Sequence, residues 1–363
     1  MKNNQFHIDF KLNEKSFSSI DELLDYSKIL PENTHQFLKE WFSVNAFVEV
    51  QTSGSTGKPK IIQLKKEFMI NSALATGTFF KLPERTTALL CMSTDYIAGK
   101  MMLVRAIVLG WDLDIVAPTS NPLKGLEKEY DFSALVPMQL QNSLSEIHLV
   151  KKLIVGGGIV SRALEKQIQN VSTAIFATFG MTETITHIAV KKLNQIQNVT
   201  SRAVEESHYH ALPNVSISKD NRDCLVIDAP KVSSNKIITN DVIELLSNKE
   251  FKWLGRYDNV INSGGIKLHP EEIEKKLSQI ISQRFFVVGI ADETLGERLI
   301  LIIEKNVTSS AIEKSLLKEI EINLWAVKNL TKYEIPKTIY FVERFVETET
   351  KKIQRSKTLE LIP

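Results

Sequence analysis

Short apolar runs alternate with amphipathic stretches through the first two-thirds of the chain. Residues 88–92, 113–116, 132–136, 153–155 and 174–177 are apolar, brief and bounded by polar or turn-forming residues, the signature of buried strands. Between them, residues 101–109 and 161–168 carry helical spacing and supply crossovers. This alternation predicts an α/β fold, a large N-terminal domain whose mostly parallel sheet is covered by helices. From Val215 the runs 215–217 and 225–227 predict a smaller antiparallel sheet. After Gly255 the rhythm changes: strands are expected over 285–288, 299–303 and 338–342, with a long amphipathic helix over 309–330. That is a compact α+β C-terminal domain. The expected division is residues 1–255, a linker at 256–259, and 260–363.

Composition narrows the class. With 363 residues, 43% hydrophobic and 24% charged, the chain has room for two or more ordinary globular domains. A net charge of +2 and the lack of a basic stripe interleaved with aromatics give no reason to expect a nucleic-acid partner. Cys91 and Cys224 are distant in sequence and suit a reducing compartment better than a disulfide framework. The polar start around Asn3, Asn4, Asp9 and Glu14 has no signal-peptide core, and no apolar run approaches the ~20 residues of a membrane span. A cytoplasmic protein is expected.

The chemistry concentrates first at Gln51–Lys60, Q-T-S-G-S-T-G-K-P-K, between the apolar runs 47–50 and 61–62. Glycines let backbone N–H groups approach an anion, hydroxyls donate further bonds, and lysines add charge. This suits a polyphosphate loop, although the same composition also makes a solvated hairpin turn. It is not a Walker loop, because the spacing fails and Pro59 stands where Ser or Thr is required.

That loop resembles the phosphate loop of the adenylate-forming superfamily of acyl-CoA synthetases, luciferases and adenylation domains. Further likenesses follow in the family's order. They are Phe179-Gly180-Met181-Thr182-Glu183, Thr239-Asn240-Asp241 with Asn for the usual Gly, Gly255-Arg256-Tyr257-Asp258 continuing through Ser263-Gly264-Gly265 to Glu274, and Lys352-Ile353-Gln354-Arg355. Within the superfamily the chain is most similar to the o-succinylbenzoate–CoA ligases of menaquinone biosynthesis. The residues that carry this are Thr184, His187-Ile188, Ala134-Leu135-Val136-Pro137 with Gln139-Leu140, and Tyr96-Ile97-Ala98-Gly99. The segment before the phosphate loop is short for such enzymes, so a partner or a homodimer is expected to cover what the missing layer would cover.

The resemblance implies ATP, Mg2+ and CoA as the reaction's small molecules, with a small carboxylic acid as the other substrate. It places Thr52, Ser53, Gly54, Ser55, Thr56, Gly57 and Lys60 around the β- and γ-phosphates. Thr182 would lie at the α-phosphate and Glu183 on magnesium; out of context, Glu183 is a helix-start carboxylate. Phe179 and Gly180 would face adenine, with Gly157 and Gly158 on its other side, though a Gly run there also suits a strand-to-helix turn. Asp241 would bind the ribose hydroxyls, supported by Arg256, with Asp258 at the hinge of a mobile C-terminal domain. Lys352 would be the adenylation lysine; a cation ~4 Å from a reacting oxygen is worth ~4 kcal/mol at an effective dielectric of ~20. Lys351 in the family's glycine position leaves adjacent lysines competing, and a solvated basic tail is the bland alternative. Gly265 would open a pantetheine tunnel. A second carboxylate on the acid would need a cation or several donors, for which Lys100, Arg105, Thr186 and His187 are candidates, Lys100 foremost because it directly follows the Tyr96-Ile97-Ala98-Gly99 likeness. Each is equally readable as a helix-surface charge or a satisfied strand residue. Alternatives to the leading reading are another aryl- or acyl-CoA ligase, a carrier-loading adenylating enzyme, and a non-catalytic adenylate-binding protein.

Overall fold

The computed structural model describes residues 5–51, 61–194, 208–305, 330–348 and 353–362. The chain divides into two compact units. One comprises Met1–Ser218, Val226–Ile238 and Leu245–Lys252; the other comprises Lys219–Leu225, Thr239–Glu244 and Trp253–Pro363.

The first unit is built on parallel strands. Thr87–Leu90 lies between Asp112–Ile115 and Tyr130–Leu135, and Val150–Val155 and Ala174–Gly180 continue outward, all in parallel register. Consecutive residues Ala88, Leu89 and Leu90 are each at most 1% exposed, so both faces of the pleat are covered. Continuous apolar runs are what a doubly covered parallel strand requires, which is why the sequence reading located these strands. On the far side the pairing turns antiparallel: His187–Lys192 on Ala174–Gly180, then Tyr209–Ala211, then Phe251 opposite Tyr209. Phe47–Gln51 and Ile61–Lys65 form a separate antiparallel pair, and the expected phosphate loop, including Thr52, Ser53, Gly54, Ser55, Thr56, Gly57 and Lys60, lies outside the described residues.

Helices Lys66–Phe80, Ile97–Leu109 and Arg162–Gln167 cover the sheet. The middle one starts earlier than the apolar run alone indicated, and residues from Gly99 to Val108 are buried all round. A helix without a polar face belongs in a core, and Gly110 in the left-handed region ends it.

The second unit is α+β, as expected. Phe285–Asp292 and Gly296–Glu304 form a long antiparallel hairpin, with Thr338–Val342 parallel to the latter. Alternation along Gly296–Glu304 sends Leu299, Leu301 and Ile303 to a core with helix Pro270–Leu277, and Ile300 and Ile302 to one with Phe286, Val342 and Phe345. Ile261–Ser263 and Ile266–Leu268 are joined by Gly264 and Gly265 at φ +59° and +80°, the requirement of a two-residue hairpin turn. Except for Leu330, the helix expected over 309–330 lies outside the described residues. Among the described residues no helix is long and apolar enough to cross a membrane.

Candidate functional site

The strand Ala174–Gly180 delivers the Thr182–Glu183 pair, and the backbone that follows is tightly constrained. A Cβ on Gly180 would stand 2.1 Å from the carbonyl oxygen of Thr186, so the chain returns too closely for any side chain. Thr182–Thr184 make one turn of 3-10 helix. The Thr184 hydroxyl accepts from Met181 N–H at 3.0 Å and lies 2.9 and 2.7 Å from the carbonyls of Met181 and Thr186. Ile185 then adopts φ +67°, ψ −64°, with Thr186 N–H donating to Thr184 C=O at 2.8 Å. This is the rare, strained form of γ-turn, here on a β-branched residue that is 1% exposed. The outcome is a half-buried Thr182 and an exposed Glu183 on a clamped loop. An accessible carboxylate beside a hydroxyl fits Mg2+, which is usually held through one or two carboxylates together with phosphate oxygens.

Phe179, half-buried, meets Tyr209 and Phe251 edge-on at 5.7 and 5.3 Å, and those rings stack on each other at 5.2 Å. The glycines 156–158 occupy the connection between Val150–Val155 and Arg162–Gln167. Gly157 needs its φ of +78°, whereas a Cβ on Gly158 would make only ordinary contacts with Pro137.

A cavity of about 320 Å³ in the same unit has an apolar lining that includes Leu74, Ile188, Leu212 and Val215, and its polar members are Asn71, Ser72, Thr78, His187, Asn214 and the cation Lys231. Behind His187 sits Arg105, 2% exposed, on helix Ile97–Leu109. Its guanidinium reaches Thr76 at 3.4 Å, Thr186 at 3.3 Å and His187 Nδ1 at 3.5 Å. No carboxylate among the described residues pairs with it, and burial alone pulls its pKa down to about 10. Burial, reinforced by the Arg105 charge, holds His187 well below the ordinary imidazole range. Arginine only donates, so Nδ1 accepts and the neutral ring carries its proton on Nε2. That Nε2 is buried and meets no hydrogen-bond partner among the described residues. Arg105, Thr186 and His187 are therefore brought together. Lys100 is not part of this group; its Nζ lies 4.7 Å over the Phe37 ring, and burial, partly offset by Glu40 and Asp95, lowers its pKa.

In the second unit Asp241 is 6% exposed. It accepts from Trp253 Nε1 at 2.9 Å and faces Arg256 at 3.5 Å. Asn240, in the family's glycine position, has no positive φ. Its side chain accepts from Arg222 at 2.9 Å and reaches Asp258 at 3.4 Å, while Arg256 also pairs with Asp258 at 3.3 Å. Tyr257–Asn259 form a 3-10 turn, and Arg222 lies 5.1 Å over the Tyr257 ring. Trp253 and Arg222 were not singled out from sequence; the strand period on from Asp241 offers no sign of either. Arg355 anchors the C-terminal motif, bonding Glu274 at 2.8 Å and the Val287 carbonyl at 3.0 Å. Burial raises Glu274 to about 7 despite that partner. Lys352 lies outside the described residues.

The family model for AMP-binding enzymes matches residues 46–227. Among curated proteins, the chain is 24% identical to a 2-succinylbenzoate–CoA ligase of Geobacillus sp. (strain WCH70), over 92% of this chain and 73% of that one. It is 26% identical to a 2-succinylbenzoate–CoA ligase of Bacillus mycoides, over 90% and 72%. Among solved structures, an acyl-CoA synthetase (AMP-forming)/AMP-acid ligase II-like protein from Dyadobacter fermentans is 36% identical, with TM-score 0.59 and coverage of 90% of this chain and 93% of that one. The o-succinylbenzoate CoA synthetase of Bacillus subtilis, solved with ATP and magnesium, shares the fold at TM-score 0.66 and 18% identity, over 96% and 83%. The chain belongs to the AMP-binding enzyme family.

Proposed function

We propose that this protein is an ATP-dependent acid–CoA ligase that works through an acyl adenylate, and that its acid is o-succinylbenzoate, giving o-succinylbenzoyl-CoA, AMP and pyrophosphate in menaquinone biosynthesis. The similarity to 2-succinylbenzoate–CoA ligases over nine-tenths of the chain supports the reaction. The observation that carries the substrate is Arg105, a buried cation with no anionic partner among the described residues, behind a largely apolar cavity whose wall includes His187. An aromatic acid with a second carboxylate offers an apolar ring for such a cavity and a charge for Arg105 and His187 Nε2–H.

The acid's reacting carboxylate attacks the α-phosphorus of ATP and expels pyrophosphate; the CoA thiol then attacks the acyl carbon and AMP leaves. Catalysis of this transfer is positioning and charge stabilisation. Thr182 donates to the α-phosphate, and Thr52, Ser53, Gly54, Ser55, Thr56, Gly57 and Lys60 hold the departing phosphates. Glu183 would hold Mg2+, whose charge would offset that of the phosphates. Phe179 and Gly180 border adenine, with Gly157 and Gly158 opposite. Asp241, oriented by Trp253 and Arg256, accepts from the ribose hydroxyls. Lys352 serves adenylation alone, with residues 256–259 acting as the hinge at Asp258 and Gly265 leaving room for pantetheine. A cytoplasmic location agrees with two buried, free cysteines. A homodimer would cover the exposed Ile8, Ile29 and Val44, and size-exclusion chromatography tests it.

The test is CoA thioester formation with ATP and magnesium on o-succinylbenzoate, benzoate and medium-chain fatty acids. Preference for o-succinylbenzoate supports the reading; turnover of another acid keeps the mechanism and removes the pathway. Nucleotide binding without turnover of any acid would favour a non-catalytic binding protein. Lys352→Ala should abolish adenylate formation yet spare thioester formation from supplied acyl adenylate. Equal loss of both steps would sink the two-conformation scheme.

A further inference from the structure

On the strand pair that carries Tyr209 and Phe251, alternation sends the flanking residues to the opposite face. There His208, His210 and Glu250 converge, with ligand atoms all within 4.8 Å of one another, the only such group of histidine, cysteine or carboxylate residues among the described residues. His210 is directly opposite Glu250 in the register. A single carboxylate oxygen, Glu250 Oε1, faces both imidazoles: His210 Nδ1 at 3.1 Å and His208 Nε2 at 3.6 Å. The rings are 4.5 Å apart and inclined at 39°.

We propose that His208, His210 and Glu250 form a binding site for a transition-metal dication, with Zn2+ the best match. A strand ion pair needs only one imidazole per carboxylate. Here both rings converge on one carboxylate oxygen, the arrangement of three ligands around a shared centre. Ligand atoms about 2.0–2.1 Å from a tetrahedral zinc lie roughly 3.3 Å from one another, a value the 3.1 and 3.6 Å separations bracket. Two nitrogens and a carboxylate oxygen suit zinc and leave a fourth position for water, whereas a magnesium site would be all oxygen. The site shares no residue with Glu183. Its place across the Tyr209–Phe251 register means that a bound ion ties the two strands together.

The wild-type chain, His210→Ala, Glu250→Gln and His148→Ala are titrated with Zn2+ against a chromogenic chelator. His148 is an exposed histidine outside the group. Binding of one Zn2+ per chain, weakened at least tenfold in His210→Ala and Glu250→Gln and unchanged in His148→Ala, is the expected result. His210 and Glu250 have side chains 48% and 37% exposed, so neither substitution should disturb folding. Co2+ in place of Zn2+ should give the visible absorption of a tetrahedral site in the wild type and His148→Ala but not in His210→Ala or Glu250→Gln, and Zn2+ should raise the melting temperature of the first two proteins but not of the last two. A wild type that binds no Zn2+, or variants that bind it as well as the wild type, overturns the proposal.

Discussion

Replacing Arg105 with Met should stabilise the empty protein while crippling it for its acid. Arg105 is 2% exposed, and its described polar contacts are the neutral Thr76, Thr186, His187 and the Met102 sulfur. Burial moves its pKa from 12.5 to about 10, which amounts to roughly 3 kcal/mol against the charged form. Methionine fills similar volume without charge, and exchanging buried charges for apolar groups of like size is often neutral or stabilising. Lost donors to Thr186 and His187 offset part of the gain, leaving about 1–2 kcal/mol. At about 2–4 °C per kcal/mol for a unit of this size, the ligand-free melting temperature should rise by several degrees. A bound carboxylate, by contrast, loses its charged partner. Truncating one side of a buried hydrogen-bonded charge pair costs about 2–5 kcal/mol, so KM for the acid should rise by roughly 30-fold or more while KM for ATP stays near its original value. Thermal melts without ligand and pyrophosphate-release kinetics read both. A fall in melting temperature with KM for the acid unchanged would show that Arg105 is an internal donor for Thr76 and Thr186, and the substrate assignment would go with it.

Stability should depend on pH through His187. Its folded pKa is depressed, so below about 6.5 only the unfolded chain takes up the proton, and stability present above that pH is lost at about 1.4 kcal/mol per unit as pH falls. Urea melts at pH 7.5 and 5.5 should show a decline that His187→Asn reduces by about that amount; parallel declines would refute the assignment. Gly180→Ala must push its Cβ away from the Thr186 carbonyl, an overpacking worth about 1–3 kcal/mol, and an unchanged melting temperature would contradict the described return of the chain. Glu183→Gln should raise the magnesium concentration needed for adenylate formation at least tenfold without moving the melting temperature, since the side chain is exposed; equal magnesium dependence would remove it as the metal ligand.

The parallel strands were legible because burial on both faces writes itself as unbroken apolar runs, as at 88–90. Of the C-terminal strands, 299–303 was legible for the same reason, and the hairpin at 285–304 extends further than its apolar residues because its outer end is held by backbone pairing. Motif residues could be placed by type and spacing. Among cations, sequence put Lys100 first on its place after Gly99; Lys100 and Arg105 lie on one helix, and only packing separates a lysine over Phe37 from an arginine behind a cavity. Partners fixed by register were equally hidden. Glu250 meets His210 across strands forty residues apart in sequence, and Trp253 reaches Asp241 only because their strands are positioned by the fold. The positive φ of Ile185 runs against every local preference of a β-branched residue.

That turn has a consequence for how the protein can change. Strained backbone of this kind costs on the order of 1–3 kcal/mol, and burial of the isoleucine side chain returns about as much. Glycine at 185 would relax the backbone and empty the pocket; valine or leucine would keep most of the volume and retain the strain. Neither is an improvement by itself, so the position is epistatic. A gain in stability at this turn therefore takes paired substitutions, one easing the backbone and another refilling the space. The geometry that presents Glu183 is held by a residue two positions away from it.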